Sequence, residues 1–147
     1  YKKVPLFYEN WNNETSELLI ACDTEVQQLC KTLPFNLSYV KSLCVHYESP
    51  TAEAMTKKIS GITGFKGLTS PTKKVEYIPD FNSRYFTADF SYGLVILIQI
   101  AEYVNIDVPN MRETLQWYHD LVGERKEYNF KDYGINTYQD FVDFYSL

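Results

Sequence analysis

The residues best suited to chemistry in this 147-residue chain lie in one short segment, from Ser83 to Val95. A permanently charged guanidinium, Arg84, and a carboxylate, Asp89, stand five positions apart, directly ahead of an apolar run from Leu94 to Ala101. Charges beside a buried element cost free energy unless they are paired or used. The segment is therefore the first candidate for a functional site, and we expect both side chains to face one cleft.

A structural explanation competes with this one. If the apolar helix begins near Thr87, Asp89 lies in its first turn, where exposed backbone amides favour a carboxylate. Arg84 then lies just outside the helix, in the chain that leads into it. The residues alone leave both interpretations open.

Other motifs of catalysis or cofactor binding are weak. The glycines at positions 61, 64 and 67 follow a predicted helix in the spacing G-x-x-G-x-x-G, whereas the dinucleotide fingerprint requires G-x-G-x-x-G between a strand and a helix. His46 and His119 show no metal-ligand spacing, and no Cys/His cluster occurs. We expect His119 on the polar face of a helix and His46 at a helix end, and no bound metal.

Composition limits the remaining possibilities. A chain of this length fits one compact domain, and a net charge of −5 argues against a general nucleic-acid binder. The longest apolar run is too short to span a bilayer, so no membrane association is expected. Three cysteines without a CxxC pair indicate free thiols in a reducing compartment and predict a cytoplasmic protein. The chain begins with Tyr instead of Met, and we expect it to be part of a longer protein.

The elements around the candidate site are predicted from apolar spacing and breakers. We predict an amphipathic helix from about Glu14 to Thr32, with its polar face in solvent. A shorter helix follows from about Leu37 to Tyr47. Ser49 is the predicted N-cap of a third helix. A long irregular stretch then covers residues 61–82. The polar face of the first helix, which we expect in solvent, consists of Glu17, Asp23, Glu25 and Gln28.

Downstream, an apolar helix from about Thr87 to Val104 belongs at the centre of a bundle. Asn110 and Glu113 have the spacing of a capping box for the next helix, which ends at Gly123. Thr137 caps a last short helix. The predicted fold class is all-α.

The Arg-to-Asp segment also resembles a known family. Arg84 to Asp89, followed by Gly93-Leu94-Val95, is similar to the R-Y-[FLI]-T-x-D…G-L-V motif in the helical domain of the opine dehydrogenases, the octopine/nopaline dehydrogenase group. Weaker matches lie in the right order on both sides. They are Phe7-Tyr8-Glu9, Gly67 to Pro71, and Val108-Pro109-Asn110.

The resemblance implies that residues 1–147 form one helical substrate and dimerisation domain, similar in fold to the C-terminal domain of 6-phosphogluconate dehydrogenase. The N-terminal Rossmann domain, absent from this chain, would carry NAD or NADP. The enzyme would condense an amino acid with an α-keto acid and reduce the imine, acting on CH–NH groups. Arg84 would bind a substrate carboxylate, and Asp89 would be catalytic by pairing with a histidine upstream of this chain.

On this resemblance the isolated domain is inactive, and the high tyrosine content is compatible with a homodimer. Two alternatives remain. One is a related two-domain dehydrogenase acting on a 2-keto or hydroxy acid without an amine. The other is a non-enzymatic helical module that binds a protein partner.

Overall fold

The computed structural model describes residues 3–73, 78–123 and 125–146. Seven α-helices follow one another in this part of the chain, with two 3₁₀ turns, one π-helical segment and a two-stranded hairpin. The α-helices are α1 (Asn13–Thr32), α2 (Leu43–His46), α3 (Ala52–Ser60), α4 (Arg84–Thr87), α5 (Val95–Tyr103), α6 (Pro109–Val122) and α7 (Tyr138–Tyr145). The 3₁₀ turns are Thr63–Phe65 and Phe130–Tyr133, and the π-helical segment is Asp89–Leu94.

The hairpin pairs β1 (Thr72–Lys73) antiparallel with β2 (Ile78–Pro79), placing Thr72 opposite Pro79 and Lys73 opposite Ile78. The hairpin and the 3₁₀ turn Thr63–Phe65 lie in the stretch 61–82, for which the sequence predicted no regular structure. With 58% helix and 4% strand, the predicted all-α class is confirmed.

Two hydrophobic clusters hold the bundle together. In the first, Leu29 of α1 packs with Ile98 and Ala101 of α5 and with two residues at the start of α6, Val108 and Met111. In the second, Phe130, Ile135 and Phe141 of the C-terminal tail pack against the other side of α5 through Ile96 and Ile100. The predicted central place of the apolar helix is confirmed, because α5 contributes to both clusters.

The first helix forms where its sequence predicts. Asn12 is its N-cap, and the Asn12 side chain accepts a hydrogen bond of 2.9 Å from the N–H of Thr15. The helix ends at Thr32, two residues before Pro34, because proline disfavours a helical residue ahead of it.

The next two predictions need correction. Helix 37–47 is reduced to Leu43–His46, because the Asn36 side chain accepts hydrogen bonds from the N–H and hydroxyl of Ser38 and holds this region in turns. Thr51, and not Ser49, caps α3: its hydroxyl accepts the N–H of Ala54 at 3.2 Å, while Ser49 is buried.

The predicted capping box of Asn110 and Glu113 is also wrong. Val108 occupies the N-cap position of α6 and Pro109 the first helical position. The backbone and side-chain N–H groups of Asn110 instead donate to Glu25 of α1. Glu25 is therefore buried and not solvent-exposed as predicted.

The ends of the last two helices are confirmed. Gly123 terminates α6 with a φ of 71°, and Thr137 forms a reciprocal capping box with Asp140 at the start of α7. Over the described ranges, no helix is both long enough and apolar enough to cross a bilayer.

Candidate functional site

Arg84 and Asp89 lie on a helical segment that starts earlier than the sequence predicts. The helix α4 begins at Arg84, with Ser83 in the N-cap position, and passes through Ala88 into the π-helical segment. There the N–H of Gly93 donates to the carbonyl of Ala88 at 3.2 Å, which is a bond to the fifth residue back. π-Helical turns inside helices are rare and frequently occur at functional sites.

This geometry removes the structural explanation for Asp89. The turn with unpaired backbone amides begins at Ser83, whereas Asp89 lies more than one turn further along. The stabilisation by a helix N-terminus falls off within the first turn. Asp89 therefore does not owe its position to the helix dipole.

Both charged side chains are exposed. Among the residues that the structure describes, neither forms an ion pair within 4.0 Å or a side-chain hydrogen bond. The guanidinium carbon of Arg84 lies 6.0 Å from the ring centroid of Tyr85. Both groups are thus free to contact a ligand, and their convergence on one cleft stays a prediction.

Four aromatic side chains pack against one another next to Arg84. They are Phe7, Tyr8, Phe65 and Tyr85, and we call them the aromatic cluster. Phe7 packs on Tyr85 with centroids 5.3 Å apart, and Tyr8 stacks on Phe65 at 4.1 Å. Phe7 also meets Tyr8 edge to face at 4.9 Å. The cluster therefore joins the N-terminal segment to the helix that carries Arg84.

The phenol of Tyr8 responds to the charge of the candidate carboxylate. Burial raises the pKa of the Tyr8 phenol, and the negative charges of Tyr85, Tyr47 and Asp89 raise that pKa further. Sequence reasoning did not assign Tyr8 to the site, although the Phe-Tyr-Glu segment at 7–9 was a signal that could have placed it there.

The glycine stretch after α3 is fastened to the same N-terminal segment. The N–H of Phe7 donates to the carbonyl of Leu68 at 2.7 Å, and the N–H of Gly67 donates to the carboxylate of Glu9 at 2.8 Å. Gly67 has a φ of 74°, which a residue with a side chain rarely adopts. Since the amide of Gly67 already binds a carboxylate and no α-helix starts within residues 61–67, this stretch does not fit the phosphates of a dinucleotide.

The opposite side of the segment is packed against the bundle. The rings of Phe86 and Phe90 lie 5.9 and 4.5 Å from that of Tyr118, which is fully buried on α6. This backing fixes the backbone that carries Arg84 and Asp89, while Tyr85 (39% exposed) and Tyr92 (47% exposed) remain open to solvent. The segment therefore presents a polar and aromatic face outwards.

The two histidines lie elsewhere. The Nε2 atom of His119 pairs with the carboxylate of Glu127, beside a cavity of about 400 Å³ that Arg125 also lines. His119 is thus half-buried and paired, and it lies on a polar side of its helix as predicted. His46 is exposed in the last turn of α2, as predicted for a helix end. Within the described residues no group of three His, Cys, Asp or Glu side chains has a metal-binding arrangement.

Comparison with known proteins decides the family. The sequence model of the NAD/NADP octopine/nopaline dehydrogenase alpha-helical domain matches residues 1–122. The chain belongs to this family. The octopine/nopaline dehydrogenase motif from Arg84 to Asp89 lies inside the matched region, and the predicted resemblance is confirmed.

Individual members of the octopine/nopaline dehydrogenase family are similar over most of the chain. Tauropine dehydrogenase of Arabella iricolor is 31% identical over 138 residues, covering 84% of the chain and 34% of that relative. Octopine dehydrogenase of Pecten maximus is 27% identical, covering 86% of the chain and 34% of that relative. The chain therefore spans about a third of the length of these curated relatives.

The fold of the family domain is also shared. A structure of octopine dehydrogenase with NADH and pyruvate superposes with a TM-score of 0.78 at 24% identity, covering 95% of the chain and 40% of that protein. A second octopine dehydrogenase structure, with NADH and L-arginine, gives a TM-score of 0.76. The likeness extends beyond residue 122, so the tail that covers α5 belongs to the same fold.

Proposed function

We propose that this chain is the substrate-binding helical domain of an NAD(P)-dependent opine dehydrogenase. The whole enzyme condenses an amino acid with an α-keto acid and reduces the product. The observation that carries the proposal is the Arg84–Asp89 segment, which presents two charges on an exposed face of the family's helical domain, neither of them in an ion pair with another described residue.

Arg84 is suited to bind the carboxylate of the keto acid. A guanidinium offers a planar pair of N–H donors that match the two oxygens of a carboxylate. Because Arg84 has no acidic partner among the described residues, a substrate carboxylate does not have to displace one. The fixed backbone behind Phe86 and Phe90 keeps the guanidinium in one region of space.

Asp89 is suited to orient a histidine that lies outside this chain. A carboxylate that accepts the N–H of an imidazole selects its tautomer and stabilises its protonated form. That histidine then moves the proton as the amine attacks the keto carbon and water leaves, giving an imine. His119 does not fit the role, because Glu127 already occupies its Nε2.

The cofactor supplies the hydride that reduces the imine carbon to a secondary amine. We assign its binding to the part of the protein outside this chain, since the glycine stretch here does not fit a dinucleotide. The unpaired thiols of Cys22, Cys30 and Cys44 support a cytoplasmic location. The proposed single domain of residues 1–147, its likeness to 6-phosphogluconate dehydrogenase and a homodimer remain predictions.

The test uses the full-length protein. Oxidation of NADH or NADPH is followed with an α-keto acid, with and without amino acids, in wild type and in Arg84→Gln. Loss of one charged hydrogen bond, worth about 1.5–3 kcal/mol, is expected to lower kcat/KM for the keto acid roughly 10- to 150-fold. Arg112→Gln is the matched control, because Arg112 is a half-exposed arginine paired with Glu102 on another face.

Three outcomes count against the proposal. If the rate of NADH or NADPH oxidation does not depend on the amine, the protein is the related keto or hydroxy acid dehydrogenase. An unchanged kcat/KM in Arg84→Gln removes Arg84 from the site. The interaction module is supported if no pair of keto acid and amine causes NADH or NADPH oxidation and if a protein partner binds in a way that depends on Arg84.

A further inference from the structure

Binding of a substrate would restrict the side chain of Arg84 and lower its conformational entropy. This side chain is exposed and has no acidic partner among the described residues, and an arginine side chain loses rotamer entropy when it is fixed. A group that restricts the guanidinium before the substrate arrives reduces this loss on binding. The structure offers one such group.

The ring of Tyr85 lies under the Arg84 guanidinium, with 6.0 Å between the guanidinium carbon and the ring centroid. Neighbouring residues on a helix do not face one another. The Arg84 side chain must therefore bend back over the Tyr85 ring. The distance is at the outer limit of a cation–π interaction, which contributes about 0.5–1 kcal/mol at an exposed site.

The Tyr85 ring is itself supported from behind. Phe7 packs on it at 5.3 Å with an interplanar angle of 31°, and the backbone of Phe7 is fixed by the 2.7 Å hydrogen bond to Leu68. Tyr8, the next residue, is stacked on Phe65. The platform under Arg84 is thus connected to the N-terminal segment and to the loop after α3, and does not depend on α4 alone.

We infer that Tyr85, supported by Phe7, is a positioning residue that pre-orients the guanidinium of Arg84 for the carboxylate of the keto acid. This inference rests on the proposed function, because it assigns Arg84 to carboxylate binding. Tyr85 acts through Arg84 and does not itself donate to the substrate. Its aromatic ring carries the effect, and its hydroxyl is dispensable.

The experiment measures pyruvate binding to the full-length protein with NADH by titration calorimetry, and the KM for pyruvate where turnover is present. Tyr85→Leu is expected to raise the Kd of pyruvate roughly two- to fivefold, which is the converted value of an exposed cation–π contact. Tyr85→Phe keeps the ring and is expected to leave the Kd unchanged. The KM for the amino acid and kcat are expected to stay within about twofold of wild type.

Two further variants separate positioning from general damage to the fold. In an Arg84→Gln background, Tyr85→Leu is expected to have no additional effect on the Kd, since the two residues act as one unit. Tyr39→Leu is the control for loss of an exposed tyrosine, because Tyr39 is 74% exposed on the loop before α2.

The inference is overturned if Tyr85→Leu weakens pyruvate binding equally with and without Arg84, or if Tyr85→Phe is as harmful as Tyr85→Leu. It is also overturned if Tyr85→Leu leaves pyruvate binding at the wild-type value. Failure of the proposed function gives a different result. In that case the wild-type protein does not oxidise NADH or NADPH in a reaction that requires both the amine and the keto acid.

Discussion

Replacement of Glu25 tests a buried polar contact between α1 and α6. The Glu25 carboxylate, 6% exposed on α1, accepts the backbone N–H of Asn110 at 2.8 Å, the Asn110 side-chain N–H at 2.6 Å and the N–H of Met111 at 3.0 Å. It therefore caps the start of α6 from a helix 85 residues away in sequence. No residue near Val108 provides a side-chain cap.

The cost of Glu25→Ala follows from these contacts. Loss of an N-cap costs about 1–2 kcal/mol, and a buried donor left without a partner costs about 1–3 kcal/mol more. We expect the free energy of unfolding to fall by about 3 kcal/mol. With a urea dependence of about 2 kcal/mol per molar, the midpoint falls by roughly 1.5 M.

Glu25→Gln refines the prediction. The amide oxygen can still accept from Asn110, but the amide nitrogen then faces the N–H of Met111, so about half of the loss is expected. Glu17→Gln on the exposed side of α1 is the control and is expected to change stability by less than about 0.5 kcal/mol. Urea unfolding followed by circular dichroism measures all three. If Glu25→Ala and Glu17→Gln shift the midpoint equally, the capping role is refuted.

Three further predictions concern the tail and the π-helical segment. Gln99 holds the tail because its side chain donates to the carbonyl of Tyr128 at 2.8 Å and accepts the N–H of Phe130 at 3.0 Å. We expect Gln99→Leu to lower the free energy of unfolding by about 1–3 kcal/mol and to speed amide hydrogen exchange at Phe130. The backbone N–H of Asn136 and then the Thr137 side chain lower the pKa of the Asp140 carboxyl. The stability this gives is present above the unfolded-state pKa of about 3.9 and is lost as the pH falls through the lower folded-state value. The difference in urea midpoint between wild type and Asp140→Asn should therefore shrink below about pH 4. Gly93→Ala should stabilise the chain by about 0.5–1 kcal/mol, because an added Cβ meets no atom within 4 Å and φ is not positive.

Each of these has an outcome that would contradict it. Unchanged exchange at Phe130 in Gln99→Leu would show that the tail is held by other contacts, and Gln139→Leu on exposed α7 is the control. A midpoint difference for Asp140→Asn that stays constant from pH 6 to pH 3 would argue against the lowered pKa. A loss of stability in Gly93→Ala would mean that the π-helical segment requires glycine.

Local signals in the sequence predicted the parts of the fold that local physics controls. Asn12 and Thr137 cap helices because their own side chains reach amides two or three residues away, and Gly123 ends a helix through its own φ. The same kind of signal misled at Ser49 and Asn110. At Ser49 a nearby residue, Thr51, takes the capping role, and at Asn110 the role goes to Glu25, which is 85 residues away in sequence.

The chemistry of the site follows the same division. The sequence by itself determined the all-α class, the family motif from Arg84 to Asp89 and the absence of a dinucleotide fingerprint, because each is written in residues close together along the chain. Only the tertiary structure decided that Glu25 is buried as the cap of α6 and that the bonding pattern at Asp89 is π-helical. It also decided that Phe7 packs against both Tyr8 and Tyr85, which joins the N-terminal segment to the helix that carries Arg84. These outcomes depend on contacts between backbone groups and rings that are up to 86 residues apart in sequence. A local sequence pattern does not specify such contacts.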